Sequence, residues 1–352
     1  MKILLLYDCP AHQSGLSILG EWVHKGLDSL GHEIVPHSLF DPQGAFNLLK
    51  ASKYDLCLGI GYWSDAQREI ELPKSLGVKT AVYWVSEGAI PKFLDLIPKC
   101  DLLLATSEFS KGIFEKFVPG LEGKVKVAYP GTDTEFYKPK PELKPSRIFS
   151  TFVSSGNVKG CEDGISASKI LSEEIKDFKY IIHMPFTEYP LEREYYIKLH
   201  KIMEAMELQK NVSLVAGIKF PRETMPKVYQ TMAAFLAPWH QACFGFPIIE
   251  AGACGVPTVG GNWQPINEII KDGETGLLFT GEQKPYTKFL EGVTFDEIWN
   301  YGDPYDMAEK MKKILDNPDE RNRLGENARK YVVENFESKK RIKALEEELL
   351  KV

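Results

Sequence analysis

The segment PWHQACFGFPIIEAGACGVPTVGGNWQPINEIIKDGETGLLF (238–279) decides the fold. It follows a short apolar run, AAFLAP (233–238), which predicts a strand, and it continues into a loop over 244–246. Pro247 suits the first position of a helix, since no amide donor is needed there. The pattern therefore predicts a helix over 247–253 and a further strand behind it. A helix that begins behind a glycine loop presents its positive end there, which favours anion binding.

Short apolar runs alternate with amphipathic stretches over the rest of the chain. These runs are mostly apolar on both faces, as strands covered by helices on two sides are. They lie at 2–7, 55–62, 80–85, 101–107 and 124–129, and then at 147–154, 179–184, 212–217, 233–238, 256–260 and 276–279. Between the two groups, KPKPELKP (138–145) places prolines among lysines, which predicts a linker.

The two groups of strands predict an α/β protein with two Rossmann-like, doubly wound domains that face a cleft. We expect the first domain over 1–140 and the second over 146–330. A charged helix over 331–352 is a candidate for crossing back to the first domain. Residues 281–303 interrupt the alternation and are interpreted as a loop or lid insertion.

Composition excludes several classes of function. Of the 352 residues, 43 are Lys or Arg and 49 are Asp or Glu, which gives a net charge of −6. Neither half of the chain is basic, so a nucleic acid partner is not expected. No apolar run reaches the length of a membrane helix or of a signal peptide. The six scattered cysteines, without a CxxC pair, predict free thiols and a cytoplasmic location.

The segment 238–279 closely resembles the donor-site signature of the retaining glycosyltransferases of family four, which have the GT-B fold. The matching residues are Phe244, Gly245, Pro247, Glu250, Ala251, Ala253, Gly255 and Pro257. The resemblance implies that Glu250 binds the nucleotide ribose. It also implies that the amides of the turn Phe244-Gly245-Phe246 face the donor sugar and phosphates. The alternative is a strand–helix–strand packing unit made of small residues.

One position departs from the signature. The first Glu of the family pattern, which contacts the donor sugar, falls at Ala242, and no carboxylate lies nearby. His240 and Gln241 are the only polar candidates to replace it.

The segment STFVSSGNVKGCEDGISA (150–167) predicts a second part of the donor site. Lys159 precedes Gly160 at a helix start and is expected to neutralise the donor diphosphate as a point charge. It is therefore a catalytic candidate, although a solvated surface lysine is the alternative. The Arg of the family pattern is missing, and Asn157, next to Gly156, is expected to compensate by hydrogen bonding. The donor site is further expected to include Gly217 and Ile218.

The first domain contributes the remaining candidates. Ser14 and Gly15 open the first helix, and by resemblance this turn contacts the donor diphosphate. His12 and Ser86 are assigned to the acceptor, although a loop His is commonly only solvated. Glu87 stands in a region where family members often have a His. It is expected to polarise the acceptor hydroxyl or to orient the donor, and a charge at a helix N-terminus is its alternative.

The resemblance implies a retaining hexosyltransferase that needs no metal or other cofactor. Its donor would be a sugar on UDP or GDP, and its acceptor a sugar, a glycan or a lipid-linked molecule. A lipid-linked acceptor would add contact with a membrane surface and a peripheral location. Two alternatives stay open: a non-catalytic GT-B relative that acts as a binding module, and a nucleotide-sugar 2-epimerase. A dinucleotide oxidoreductase is disfavoured, because no GxGxxG follows the strand at 2–7.

Overall fold

The computed structural model describes residues 1–9, 14–140, 142, 146–153, 156–185, 190–290 and 292–352. In these ranges the chain forms two compact units. Unit 1 contains residues 1–131, 286–297 and 338–352, and unit 2 contains residues 132–285 and 298–337. Each unit is built on a six-stranded parallel sheet, so the predicted α/β class with two Rossmann-like sheets is confirmed.

Unit 1 has the strand order β2-β1-β3-β4-β5-β6. Its strands are β1 (Lys2–Tyr7), β2 (Glu33–Ser38), β3 (Leu56–Gly59), β4 (Thr80–Trp84), β5 (Leu102–Ala105) and β6 (Lys126–Val127). Its first helices are α1 (Gly15–Ser29), α2 (Pro42–Ala51), α3 (Leu72–Ser75) and α4 (Glu108–Phe117). The central strands are almost fully buried, because helices cover both faces of the sheet. The sequence pattern missed β2, an edge strand interrupted by Pro36.

Unit 2 has the strand order β12-β11-β10-β7-β8-β9. Its strands are β7 (Ile148–Phe152), β8 (Lys179–Met184), β9 (Val212–Ala216), β10 (Ala234–Ala237), β11 (Thr258–Gly261) and β12 (Gly276–Phe279). Its helices up to β12 are α5 (Cys161–Glu174), α6 (Pro190–Ala205), α7 (Met225–Gln230), α8 (Phe246–Ala253) and α9 (Ile266–Ile269). The predicted helix over 247–253 therefore begins one residue earlier than expected.

The insertion over 281–303 is an ordered hairpin and not the expected loop. It consists of β13 (Gly281–Leu290) and β14 (Val293–Gly302), which pair with each other. Along β14 the side chains of Glu297 and Trp299 are buried, whereas those of Asp296 and Ile298 are exposed. This alternation mixes charged and apolar residues on both faces, so the sequence has no apolar run that would predict a strand.

Three helices complete the chain: α10 (Pro304–Asp316), α11 (Pro318–Asn335) and α12 (Ser338–Leu349). The last of these belongs to unit 1, where it packs on α1. Trp22 Nε1 donates to Ser338 Oγ (2.9 Å), and a Cβ at Gly26 would clash with the side chain of Ile342. The six cysteines, all within the described ranges, are free. No helix in the described part of the chain is long and apolar enough to cross a bilayer.

Candidate functional site

The strand order of unit 2 reverses between β7 and β10. In open α/β sheets, ligands bind beyond the carboxyl ends of the strands at such a switch point. The two segments singled out in the second half of the sequence follow these two strands. Residues 156–160 come after Phe152, and residues 238–250 come after Ala237. The fold thus brings both segments to one edge of one sheet.

The turn that carries Lys159 packs against the loop after β10. Gly160 has a positive φ of 54°, and a Cβ there would clash with the carbonyl oxygen of Pro238 and with the ring of His240. The amide of His240 donates to the carbonyl oxygen of Val158 (3.0 Å). Glycine is therefore required at position 160 both for its backbone conformation and for this close approach.

Trp239 connects Lys159 with the start of α8. The Nζ atom of Lys159 lies 5.0 Å from the indole ring centroid, which is a cation–π distance. Gly245, the N-cap residue of α8, packs on the same indole, since a Cβ there would lie 3.3 Å from Trp239 Cζ3. A cationic side chain and the positive end of an eight-residue helix thus flank one aromatic ring, an arrangement that favours a phosphate group.

Glu250 lies on the buried side of α8 and is 8% exposed. Its Oε2 accepts a hydrogen bond from the Tyr229 hydroxyl (2.6 Å). Burial raises the pKa of Glu250, while hydrogen bonds from Tyr229 and Tyr137 and the charge of Arg222 act in the opposite direction. A carboxylate has about four lone-pair sites, so this pairing leaves acceptor capacity for a ligand. The ribose contact of Glu250 stays a prediction.

Three consecutive residues of the loop after β10 carry buried polar atoms that nothing in the described ranges satisfies. They are Trp239 Nε1, His240 Nδ1 and Gln241 Oε1. Buried polar atoms are normally paired, and each exception costs about 1–3 kcal/mol. Their concentration beside Lys159 indicates a functional loop, because such costs are retained mainly where function requires them.

Ala242, where the family pattern has its first Glu, is 3% exposed. The two polar candidates next to it are also buried and are used internally. His240 Nε2 lies 3.0 Å from Asp163 Oδ2, and Gln241 Nε2 donates to the Ile298 carbonyl oxygen (3.1 Å). The position of the missing carboxylate is thus in the interior of unit 2.

Four further predicted donor residues, Gly156, Asn157, Gly217 and Ile218, also lie in unit 2. Gly156 and Asn157 belong to the short 3-10 turn Gly156–Lys159, and the side chain of Asn157 lies outside the described structure. Gly217 follows β9 with a φ of 68°, and its amide donates to the Met184 carbonyl oxygen (2.9 Å). Ile218 is 54% exposed and therefore accessible to a ligand.

In unit 1, Ser14 is the N-cap residue of α1, and its Oγ accepts from the Ser17 amide (3.1 Å). The hydroxyls of Ser14 and Ser17 donate to Asp8 Oδ2 at 3.1 and 2.9 Å. A carboxylate of the chain itself thus lies at the positive end of α1. The space around the Cβ position of Gly15 is open. His12 lies outside the described residues, and the diphosphate contact of this turn stays a prediction.

Ser86 and Glu87 follow β4 in unit 1. Ser86 is buried, and its carbonyl oxygen accepts from Ser110 Oγ (2.6 Å). Glu87 is half-buried in an irregular segment. No α-helix begins between β4 and β5, so the interpretation of Glu87 as a charge at a helix N-terminus is wrong. Across the described residues, no three His, Cys, Asp or Glu side chains are grouped as metal ligands.

Sequence reasoning missed three contributors to the site in unit 2. Trp239 gave no signal, because a tryptophan after a strand is usually only core. Asp163 stands three residues after Gly160, yet its partner His240 is 77 positions away. Arg222 was not considered, although its charge reaches Glu250.

Residues 133–288 match the family model described as glycosyl transferases group 1. The match contains Lys159, the loop after β10 and α8. The D-inositol 3-phosphate glycosyltransferase of Rhodococcus erythropolis is 30% identical over 82 residues, which cover 22% of this chain and 19% of that protein. The aligned part of the chain thus spans about a fifth of that relative's length.

Solved structures are similar over essentially the whole chain, and two of them serve as examples. A sucrose-phosphate synthase from Thermosynechococcus elongatus has a TM-score of 0.82 at 15% identity, covering 100% of this chain and 99% of that one. The Anabaena protein HepE, solved with UDP-glucose, has a TM-score of 0.77 at 17% identity and 100% coverage of both chains. At these identities the likeness concerns the fold, and the fold is GT-B.

Proposed function

We propose that this chain is a retaining glycosyltransferase that transfers a hexosyl group from a nucleoside diphosphate donor to an acceptor hydroxyl. One observation carries the proposal: the Lys159 ammonium and the start of α8 flank the Trp239 indole at the switch point of unit 2. A nucleoside diphosphate is the ligand whose charge fits such a site. The group 1 glycosyltransferase match, which contains all three features, supports this choice.

The proposed chemistry is electrostatic. The bond between the anomeric carbon and the β-phosphate oxygen breaks, and the departing diphosphate takes the electron pair. Lys159 and the amides at the start of α8 stabilise this developing charge. The acceptor oxygen then forms the new bond on the same face of the sugar, and its proton passes to an oxygen of the departing diphosphate. Glu87 is the candidate group that polarises this hydroxyl, and Glu250 holds the ribose.

UDP is the first donor base to test. HepE was solved with UDP-glucose, and this supports a UDP-type donor for a chain of the same fold. GDP sugars remain the second choice. We further propose that transfer needs no metal ion and that the acceptor is a sugar, a glycan or a lipid-linked molecule. In unit 1, His12 and Ser86 are the proposed acceptor contacts, and Ser14 and Gly15 the proposed phosphate contacts.

The experiment is a release assay. Purified protein is incubated with UDP-glucose or GDP-mannose, with and without a mixture of sugar acceptors and with EDTA, and the free diphosphate is measured. We expect acceptor-dependent release that survives EDTA and an α-linked product by NMR. Lys159→Ala should reduce the rate while keeping the unfolding midpoint. Binding without turnover would instead support the non-catalytic relative, and acceptor-independent epimerisation the 2-epimerase.

A further inference from the structure

Asp163, in the first turn of α5, joins three segments of unit 2 through one carboxylate oxygen. Its Oδ2 accepts from the Gly302 amide at the end of β14 (2.8 Å) and lies 3.0 Å from His240 Nε2. The side chains of Asp163 and His240 are 17% and 5% exposed. Because a carboxylate only accepts, the Nε2 atom of His240 carries the proton in this contact.

The strand β14 holds the same loop from its other side. The backbone amide and the Nδ2 atom of Asn300 both donate to the His240 carbonyl oxygen, at 3.2 and 3.3 Å. The ring of His240 packs against Tyr301 and Trp299, with centroid distances of 4.4 and 5.6 Å. His240 is thus fixed at its ring, its carbonyl and its Nε2, and little rotational freedom remains to it.

Lys159, the cationic residue of the proposed donor site, is connected to His240 through neighbouring residues. Trp239 is the preceding residue, and its ring supports Lys159. A Cβ at Gly160 would lie 2.8 Å from the ring of His240, so the turn that ends in Lys159 is packed closely against that ring. Asp163 lies in the first turn of α5, the helix that begins directly after that turn. The contacts form a closed ring: Asp163, His240, Trp239 and Lys159, then back along the chain to Asp163.

We propose that Asp163 is a positioning residue of the donor site, which fixes Lys159 for the diphosphate through His240 and Trp239. The inference rests on the proposed function, because it assumes that Lys159 meets a diphosphate. It goes further in giving a task to Asp163 and to the base of the hairpin, neither of which has a part in the proposed chemistry.

The chain offers a matched control at the other strand of the same hairpin. Asp306, in the first turn of α10, accepts from the amide and the hydroxyl of Thr280 at 2.7 and 2.9 Å. Thr280 directly precedes β13. Asp306 therefore anchors the base of β13 with the same chemistry with which Asp163 anchors the base of β14. Its described hydrogen bonds do not reach the loop that carries His240.

The test compares Asp163→Ala, Asp306→Ala, Lys159→Ala and the double variant Asp163→Ala/Lys159→Ala in the full chain. Calorimetry gives the dissociation constants of UDP and UMP. The ratio of the UMP constant to the UDP constant reports how much the second phosphate adds to binding. We expect Asp163→Ala to reduce this ratio about tenfold, as Lys159→Ala does. Asp306→Ala should keep it, and the double variant should lose no more than Lys159→Ala alone. Asp163→Asn, which keeps one acceptor oxygen, should recover part of the ratio.

Two results overturn the inference. An unchanged ratio of the UMP to the UDP dissociation constant in Asp163→Ala would show that the residue only stabilises the fold, whatever its effect on the unfolding midpoint. Additive losses in the double variant would show that Asp163 does not act through Lys159. In both cases the unmodified chain still prefers UDP, and the proposed function stands. If the unmodified chain binds neither UDP nor GDP, the proposed function fails and the inference fails with it.

Discussion

Ala242 is a small residue at a buried position. It is 3% exposed and lies between Gln241, which is bonded to β14, and Cys243. A carboxylate introduced there would have to lose its hydration without a prepared partner, which is costly. The departure from the family signature therefore lies at a buried position of unit 2.

We predict that Ala242→Glu destabilises unit 2 by about 2–4 kcal/mol and does not increase transfer. Denaturant unfolding followed by tryptophan fluorescence measures the first effect, and diphosphate release measures the second. Ala242→Ser, of nearly the same size, is the control and should cost far less. A stable Ala242→Glu variant with faster turnover would mean that the loop opens to present position 242 to the donor.

Glu250 gives a prediction about ribose recognition. The carboxylate already accepts from Tyr229, and we expect its remaining capacity to bind the ribose hydroxyls. Glu250→Gln should weaken UDP binding by about 1.5–3 kcal/mol, the scale of hydrogen bonds to a charged group. The unmodified chain should prefer UDP over 2′-deoxy-UDP or 3′-deoxy-UDP, and the variant should lose this preference. Tyr229→Phe is the control that should keep it. If Glu250→Gln prefers UDP over the deoxy nucleotides as strongly as the unmodified chain does, Glu250 does not bind the ribose.

His183 gives a prediction about pH. It is 6% exposed in β8, stacked on Phe152 with a centroid distance of 4.9 Å, and burial lowers its pKa to about 4. Below about pH 6.5, His183 is protonated in the unfolded chain but stays neutral in the folded chain. The contribution of His183 to the free energy of unfolding is therefore fully present above that pH, and it is lost as the pH drops towards 4.

The expected loss from His183 is about 2 kcal/mol between pH 7.5 and pH 5. His183→Phe keeps an aromatic ring beside Phe152 but cannot titrate. The measurement is the difference in unfolding free energy between the two proteins across this pH range. Parallel curves for the unmodified chain and the variant would contradict the prediction, because the carboxylates titrate in both.

The sequence predicted those parts of the site that depend on local chemistry. Gly160 and Gly245 have left-handed or otherwise unusual backbones, and Pro247 is favoured in the first turn of a helix, so these positions could be recognised from their residue types. Asp163 and Trp239 could not, because their roles depend on contacts between residues far apart in the chain. Ordinary side chains acquire such roles only from the packing.

At the scale of elements, the strands of the two parallel sheets could be predicted from local sequence, whereas the hairpin could not. Buried parallel strands are continuous apolar runs, so β1, β8 and β12 were predicted with the bounds that the structure has. The strands β13 and β14 mix charged and apolar residues and pair only with each other. No apolar run or regular period in the sequence predicts strands of this kind.

The hairpin gives the prediction at this scale. Residues 286–297 belong to unit 1, whereas residues 298–302 hold the loop that carries His240 in unit 2. Replacing residues 287–296 by a two-residue turn should leave the UDP dissociation constant within about twofold, since those contacts remain. Asn300→Ala, which removes one of the two hydrogen bonds to the His240 carbonyl, should weaken UDP binding more than the truncation does. If the truncation weakened UDP binding more than Asn300→Ala does, residues 287–296 would contribute to UDP binding.

At the scale of the molecule, two successive series of strands and helices were enough to predict two Rossmann-like sheets. The composition of the units was harder to anticipate, because unit 1 is assembled from three separate stretches of chain. Alternating patterns describe neighbours in sequence. They carry little information about which sheet a later segment, such as residues 286–297, will pack against.

This composition predicts how a nucleotide stabilises the protein. The proposed donor residues Lys159, Gly245 and Glu250 all lie in unit 2, so UDP should stabilise that unit directly. At 100 times its dissociation constant, a ligand adds about 2.7 kcal/mol, which for a unit of this size raises the midpoint by about 5–10 °C. Differential scanning calorimetry measures the shift, and hydrogen exchange identifies its location. We expect protection over 156–163 and 238–250, and little of either effect in Lys159→Ala at the same UDP concentration. Protection confined to unit 1 would place the nucleotide elsewhere, because ligand-linked stability appears where the ligand binds.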